Sequence, residues 1–227
     1  DPFKYGSFAV NAGDQVYRLT GEIQSQLEAH GATGALNRFP PVLAFQSVVD
    51  ATVSIQAVVE RLFKRLPDGG HELVLFDINR MTEVEYVLTE DPTADLEAML
   101  DDTSLPFTVS LLTNENEESR HVVVRQKRPD DPERSERSVG LTWPDELYSL
   151  SHVAMPIPAT DPLYGRSKSR KNGAIHLGNI ALRGERGVLQ VPAADMLRLR
   201  WNPFYPYIER RLLEFVRLEA PLGVGAE

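Results

Sequence analysis

The sequence predicts an α/β domain with a mostly parallel sheet, and two stretches of the chain carry this prediction. Residues 41–78 pass from an apolar run through an amphipathic stretch to a second apolar run. Short connections between such elements favour a parallel, right-handed strand–helix–strand unit. Further on, two runs rich in β-branched residues flank a polar stretch, which indicates an inserted antiparallel hairpin. With 227 residues, the chain is long enough to bury the core of one such domain.

The sequence up to residue 80 predicts four elements after an irregular lead-in over residues 1–13. A helix is expected over residues 15–29, where apolar side chains recur at helical spacing. The strand–helix–strand unit follows. Its parts are PVLAFQS over 41–47, SIQAVVERLFKRL over 54–66 and ELVLFDI over 72–78. We expect residues 1–40 to lead into this core, which ends near residue 80.

The second half is divided into an insertion over 81–140 and a final segment over 141–227. The insertion is expected to hold a helix over 91–100, hairpin strands over 107–113 and 121–127, and a mobile charged segment over 128–138. The final segment begins rich in aromatic residues and prolines. It then predicts a solvated loop over 167–173, a turn and short strand over 184–191, and an amphipathic helix over 205–218.

Composition excludes several classes of function. The chain has 33 acidic and 24 basic residues, for a net charge of -9, and such a surface repels the phosphates of nucleic acids. It has no cysteine, which excludes thiolate metal sites and cysteine nucleophiles. No histidine pair has metal-ligand spacing, and no phosphate-binding loop occurs. We therefore expect no cofactor, no metal and no transmembrane segment, in a cytoplasmic or alternatively a periplasmic protein.

Asp50 is the first candidate for chemistry, in the segment PVLAFQSVVDATVS. It follows the predicted strand by a few residues, and functional groups gather at the carboxyl ends of parallel strands. A carboxylate there can orient a histidine and stabilise its protonated form. The alternative role is that of a turn or helix-capping aspartate.

His152 is the second candidate, in the loop segment LYSLSHVAMPIP. A catalytic base suits a loop because its ring must reach between an acid and a nucleophile. The alternative is a loop histidine bonded to a backbone carbonyl. The other four histidines lie at predicted element ends or beside a solvated loop.

No nucleophile elbow of the form Gly-x-Ser-x-Gly occurs in the sequence. The partial match Gly165-Arg166-Ser167 follows no predicted strand, so it cannot form the strained turn that exposes such a serine. Ser47, Ser149 and Ser151 lie near the candidate acid and base, and we interpret them as hydrogen-bonding loop residues.

The segment around Asp50 resembles the α/β-hydrolase segment in which a proline-led strand ends in a turn that carries the triad aspartate. SLSHVAMP resembles the loop that presents the triad histidine, and the order of acid before histidine is also the same. The resemblance is to hydrolases of the serine aminopeptidase, lysophospholipase and carboxylesterase type. It implies that this chain is the C-terminal part of such a sheet, with Asp50 as acid and His152 as base.

The sequence departs from that family in two ways. The nucleophile and the early strands are absent, so we expect the serine upstream or on a companion chain, and this chain alone should be inactive. The acid and the histidine are also farther apart in sequence than is usual in the family. The first hypothesis is thus acyl hydrolysis of an ester or amide. The alternatives are a non-catalytic module for binding or assembly and, more remotely, an enzyme that pairs Asp50 with Asp77.

Overall fold

The computed structural model describes residues 10–81, 92–129, 131, 133–144, 147–166, 183–185 and 197–219. Its centre is a sheet of five strands that lie side by side in sequence order. They are β1 (Leu43–Ser47), β2 (Glu72–Phe76), β3 (Thr108–Asn114), β4 (His121–Lys127) and β5 (Ser135–Thr142). The first three strands are mutually parallel, and the last three form an antiparallel meander. The α/β class is therefore confirmed, with a sheet that is mixed.

Four helices accompany the sheet within the described residues. They are α1 (Val10–Thr33), α2 (Ile55–Arg61), α3 (Thr93–Asp101) and α4 (Tyr205–Glu219). Two short parallel strands, β6 (Arg183–Gly184) and β7 (Leu197–Arg198), pair with each other outside the main sheet. None of the described helices combines the length and the apolar character that a membrane span needs.

Residues next to the helix ends explain where α2 begins and where α1 ends. Ser54 caps α2, since its hydroxyl accepts a hydrogen bond from the backbone N–H of Ala57 at 3.4 Å. Helix α1 is longer than the expected 15–29 and continues to Thr33. The next residue, Gly34, has a φ of 72°, a left-handed conformation in which glycine readily ends a helix.

The core lies on both faces of the sheet because neighbouring residues of a strand point in opposite directions. On one face, Leu73 and Leu75 of β2 pack with α2 and α3. On the other face, Val74 and Phe76 pack with α4 and the aromatic segment that precedes it. All five residues of β2 are buried, as expected of a strand covered on both faces.

The hairpin prediction is confirmed, and its strands begin and end within one residue of the expected positions. The hairpin also extends the main sheet, because β3 pairs with β2. The expectation of a mobile charged segment over 128–138 is wrong at its end, where β5 begins at Ser135. Charged residues suit this strand because it lies at the sheet edge, and Glu136 forms an ion pair with Arg125 of β4 at 2.8 Å.

A buried ion pair ties α4 to the sheet. Nε of Arg211 donates to Oε2 of Glu72 at 2.8 Å, and a terminal guanidinium nitrogen contacts the same oxygen. The other carboxylate oxygen accepts a hydrogen bond from the hydroxyl of Ser110 on β3 at 2.7 Å. Both carboxylate oxygens of Glu72 are thereby satisfied, which lets the group lie in the core.

Candidate functional site

Asp50 lies in the turn that follows β1, with its side chain only 9% exposed. Its backbone N–H donates to the carbonyl of Ser47 at 3.1 Å. Its Oδ1 accepts hydrogen bonds from the backbone N–H groups of Thr52 at 2.7 Å and Val53 at 3.0 Å. Asp50 thus shapes the connection between β1 and α2, which is the local role that the sequence left open as an alternative.

His152 begins a short 3₁₀ turn, His152–Ala154, in the loop that crosses the end of β1. Two buried hydroxyls anchor this loop. That of Ser47 donates to the carbonyl of Leu150 at 2.8 Å, and that of Ser151 donates to the carbonyl of Leu199 at 2.5 Å. The loop brings Nδ1 of His152 to 3.9 Å from Oδ1 of Asp50. The two residues that the sequence singled out are therefore neighbours in the fold.

A third residue, Glu185, was missed by the sequence analysis. Its Oε2 lies 2.7 Å from Nδ1 of His152, and it also accepts the backbone N–H of His152 at 3.0 Å. The side chain of Glu185 is fully buried. The sequence contains no signal for this role, because Glu185 lies in the segment GERGVLQV, whose pattern predicts a turn and a short strand.

The backbone of Glu185 is held by the segment that leads to the histidine. Its N–H donates to the hydroxyl of Ser149 at 3.0 Å, and its carbonyl accepts the hydroxyl of Tyr148. Burial raises the pKa of the Tyr148 hydroxyl above its usual value, so this group stays protonated and can donate. The preceding residue, Gly184, leaves no room for a side chain, since a Cβ would meet the ring of Tyr148 and lie 2.6 Å from the hydroxyl oxygen of Ser149.

A hydroxyl from the β1–α2 turn also contacts the imidazole. Oγ1 of Thr52 lies 3.4 Å from both ring nitrogens of His152. An atom equidistant from the two nitrogens lies along the lone-pair direction of neither, and 3.4 Å is long for a hydrogen bond with a hydroxyl. In the described part of the chain this is the contact that Nε2 makes, and the His152 side chain is 25% exposed. The imidazole is therefore partly accessible to solvent.

The serines near the site form hydrogen bonds as expected, but only Ser149 and Ser151 are loop residues, because Ser47 is the last residue of β1. Ser47, Ser149 and Ser151 are fully buried, and each hydroxyl bonds to a backbone group. A nucleophile needs an accessible oxygen that a base can deprotonate. These three side chains do not meet that requirement.

Asp77, the partner of Asp50 in the remotest alternative, belongs to a separate network at the end of β2. Its carboxylate accepts two hydrogen bonds from the guanidinium of Arg80 at 2.7 and 2.9 Å. It also accepts the hydroxyl of Thr113 at 2.7 Å and the backbone N–H of Ile78 at 2.8 Å. These contacts explain Asp77 as a structural acid that joins the ends of β2 and β3.

Metal binding is the other chemistry for which the site residues have suitable spacing. Asp50, His152 and Glu185 each offer one ligand atom, and these atoms lie within 4.8 Å of one another. However, the nearest carboxylate oxygens are already engaged. Oε2 of Glu185 accepts two donors of His152, and Oδ1 of Asp50 accepts two backbone N–H groups. The observed contacts favour an acid–histidine pair over a ligand set.

A groove of about 750 Å³ opens beside Asp50, between α2 and α3. Its apolar lining includes Val49, Ile55, Val59 and Met99, and charged residues lie among its other lining groups. Concave apolar surface next to polar groups is typical of small-molecule sites.

Comparisons of the chain with family profiles, with curated proteins and with solved structures found no match. What the chain does must therefore be argued from its own residues and contacts.

Proposed function

We propose that this chain supplies the base and the acid of a serine hydrolase that cleaves esters or amides. The nucleophile would come from a companion polypeptide. The observation that carries the proposal is the orientation of His152. Its Nδ1 faces two carboxylates at 2.7 and 3.9 Å, while Nε2 has one long contact, with Thr52, among the described residues, and the His152 side chain is 25% exposed.

This orientation is the one that general-base catalysis requires. A serine hydroxyl that approaches Nε2 would lose its proton to the ring as its oxygen attacks the carbonyl carbon. The imidazolium that forms would be stabilised by the carboxylate at Nδ1. It would then return the proton to the leaving alcohol or amine as the bond to that group breaks. A water molecule activated in the same way would release the acyl group from the serine.

The test is to isolate the tagged full-length chain under native conditions from cells that produce it, and to add a fluorophosphonate probe. Such a probe reacts with a serine that a neighbouring base activates. We expect a companion polypeptide to be labelled beside wild-type chain and to be labelled at least ~10³-fold more slowly beside His152→Ala. His121→Ala is the matched control, because His121 is exposed at the start of β4, and it should leave the labelling rate unchanged.

Two results would count against the proposal. One is a wild-type preparation in which the probe labels no polypeptide. The other is a companion whose labelling rate is the same with His152→Ala as with wild-type chain, since the imidazole would then have no part in activating the serine.

A second candidate function is a non-catalytic role in assembly, and the surface of α1 favours it. Val16, Leu19 and Ile23 on this helix are 44–61% exposed, although Leu27 on the same stripe is buried. Among the strands that the structure describes, β1 also lies at an edge of the sheet, and both exposed apolar patches and strand edges recruit partner chains. If the chain has this assembly role, the isolation experiment should capture a companion chain that the fluorophosphonate probe does not label.

A further inference from the structure

We infer that Glu185, rather than Asp50, is the residue that positions His152 for proton transfer. This inference rests on the proposed function. It concerns which of the two carboxylates beside the imidazole orients the ring.

The distances separate the two acids. Oε2 of Glu185 lies 2.7 Å from Nδ1 of His152, whereas Oδ1 of Asp50 lies 3.9 Å away. Charge-assisted N–H···O hydrogen bonds are about 2.7–2.9 Å long. Only Glu185 is therefore within hydrogen-bond distance of Nδ1, whose N–H an orienting carboxylate must accept as a hydrogen bond.

The same oxygen of Glu185 also fixes the backbone of the histidine. It accepts the backbone N–H of His152 at 3.0 Å in addition to the ring nitrogen. One buried atom thus sets both the start of the 3₁₀ turn and the rotation of the imidazole. A histidine whose backbone and ring are both held in this way loses little freedom when a substrate binds, which is what a preorganised base requires.

Asp50 is engaged elsewhere. Its Oδ1, the oxygen nearer to the ring, accepts the N–H groups of Thr52 and Val53 at 2.7 and 3.0 Å. These bonds shape the turn that holds the Thr52 hydroxyl against the imidazole. Asp50 therefore acts on His152 through the turn and through its charge at 3.9 Å.

The burial of the two acidic side chains also favours Glu185 as the orienting residue. The side chain of Glu185 is fully buried, and that of Asp50 is 9% exposed. An interior carboxylate is tolerated when donors compensate its charge, and its attraction for an imidazolium is stronger where water is excluded. Tyr148 and Ser149 hold the backbone of Glu185, and His152 lies three residues after Ser149 along the chain. One short segment therefore positions both the acid and the base.

The first measurement is histidine ¹⁵N NMR on the intact chain. In wild type we expect His152 to carry its proton on Nδ1, with a downfield Nδ1–H resonance that exchanges slowly with water. Glu185→Gln should move this resonance strongly upfield or abolish it, and Asp50→Asn should retain it. Glu209→Gln, at an exposed position on α4, is the matched control and should leave it unchanged.

The opposite pattern would overturn the inference, with the resonance lost in Asp50→Asn and retained in Glu185→Gln. The dispersion of the amide spectrum shows whether each variant is folded. If Glu185→Gln does not fold, Glu185→Asp provides the same test, because it keeps the charge and shortens the reach by one methylene. The resonance should then move upfield despite the retained carboxylate.

The second measurement is the labelling rate of the companion serine in the native complex. Replacing the acid that orients a triad histidine by its amide costs about 10⁴-fold. We expect a loss of that order for Glu185→Gln and a smaller loss for Asp50→Asn, with the reverse order counting against the inference. Absence of any labelling with wild type would refute the proposed function alone, since the NMR result decides the pairing of Glu185 with His152 separately.

Discussion

Gly184 illustrates how much a single residue without a side chain can contribute to the site. Any Cβ at this position would run into the ring of Tyr148 and the hydroxyl of Ser149, which both hold the backbone of the adjacent Glu185. The glycine is therefore needed for close approach, and the position of the buried acid depends on it.

We predict that Gly184→Ala destabilises the protein by about 1–3 kcal/mol, the usual cost of forcing atoms into a packed interior. It should also remove the Nδ1–H resonance of His152, because the clash displaces Glu185. Urea unfolding and histidine NMR measure the two effects. Gly21→Ala is the control, since a Cβ there meets nothing within 4 Å, and in mid-helix it should stabilise by roughly 0.5–1 kcal/mol. A Gly184→Ala variant as stable as wild type would contradict the packing argument.

Among the described residues, Tyr207 is one of two buried tyrosines, with Tyr148, whose raised pKa makes stability depend on alkaline pH. It is 1% exposed, and its hydroxyl has no hydrogen-bond partner in the part of the chain that the structure describes. Burial raises the pKa of this hydroxyl to about 12, from about 10 in an unfolded chain. The folded protein then keeps a proton that the unfolded chain has released, so the free energy of unfolding falls as the pH rises through this interval.

The prediction is a loss of roughly 2–3 kcal/mol between about pH 10 and pH 12 that is specific to Tyr207. Tyr207→Phe should lack this contribution and lose less stability than wild type, with the remaining alkaline loss caused by the buried Tyr148. It should also be at least as stable as wild type at pH 8, because the variant buries no unpaired hydroxyl. Urea unfolding at pH 8 and 12 measures the difference. Tyr17→Phe, at a position 79% exposed, should behave like wild type, and an equal alkaline loss in Tyr207→Phe would refute the prediction.

At this scale the sequence predicted part of the site. Asp50 and His152 were identified because each stands in a recognisable local pattern, and the structure brings them within 3.9 Å. Glu185 was not identified, because its role depends on contacts with Tyr148, Ser149 and His152. No spacing of residues in the sequence indicates these contacts. A buried acid reached through tertiary contacts has no local signature.

Among the elements, α4 depends most on a polar contact. The Arg211 and Glu72 side chains that join α4 to β2 are 15% and 3% exposed. Removing one partner of such a pair leaves a buried charge without compensation, which is more costly than removing both.

We predict that Arg211→Met costs about 3–5 kcal/mol, because it leaves the Glu72 carboxylate buried with Ser110 as its remaining donor. The double variant with Glu72→Gln should recover much of this loss. A urea double-mutant cycle gives the coupling. Arg217→Met, at an exposed position of the same helix, is the control and should stay within ~0.5 kcal/mol of wild type. Additive losses in the cycle would show that the two side chains do not interact.

Element types were predicted best where periodicity was strong. The strand–helix–strand unit and the hairpin follow from runs of apolar and β-branched residues, and their observed bounds are close to the expected ones. β5 was missed because its exposed residues are charged and polar. An edge strand needs apolar residues on one face alone, so its sequence resembles that of a solvated loop.

For the whole molecule, the change from parallel to antiparallel pairing at β3 divides the sheet into two parts. The parallel part ends at the turn that carries Asp50, and the antiparallel part lies at the far side of the sheet. Apolar clusters on both faces join the two parts into one core. The residues of the hydrolase proposal, Asp50, His152 and Glu185, lie outside the meander.

The meander and the site also differ in when they can form as the chain folds. β3, β4 and β5 are consecutive in sequence, so their contacts close short loops. One site contact closes a long loop, since 100 positions separate Thr52 from His152. The entropy lost on closing a loop grows with its length, and non-local contacts form late. We therefore expect the imidazole to take its place beside the β1–α2 turn only after the hairpin contacts of the meander have formed.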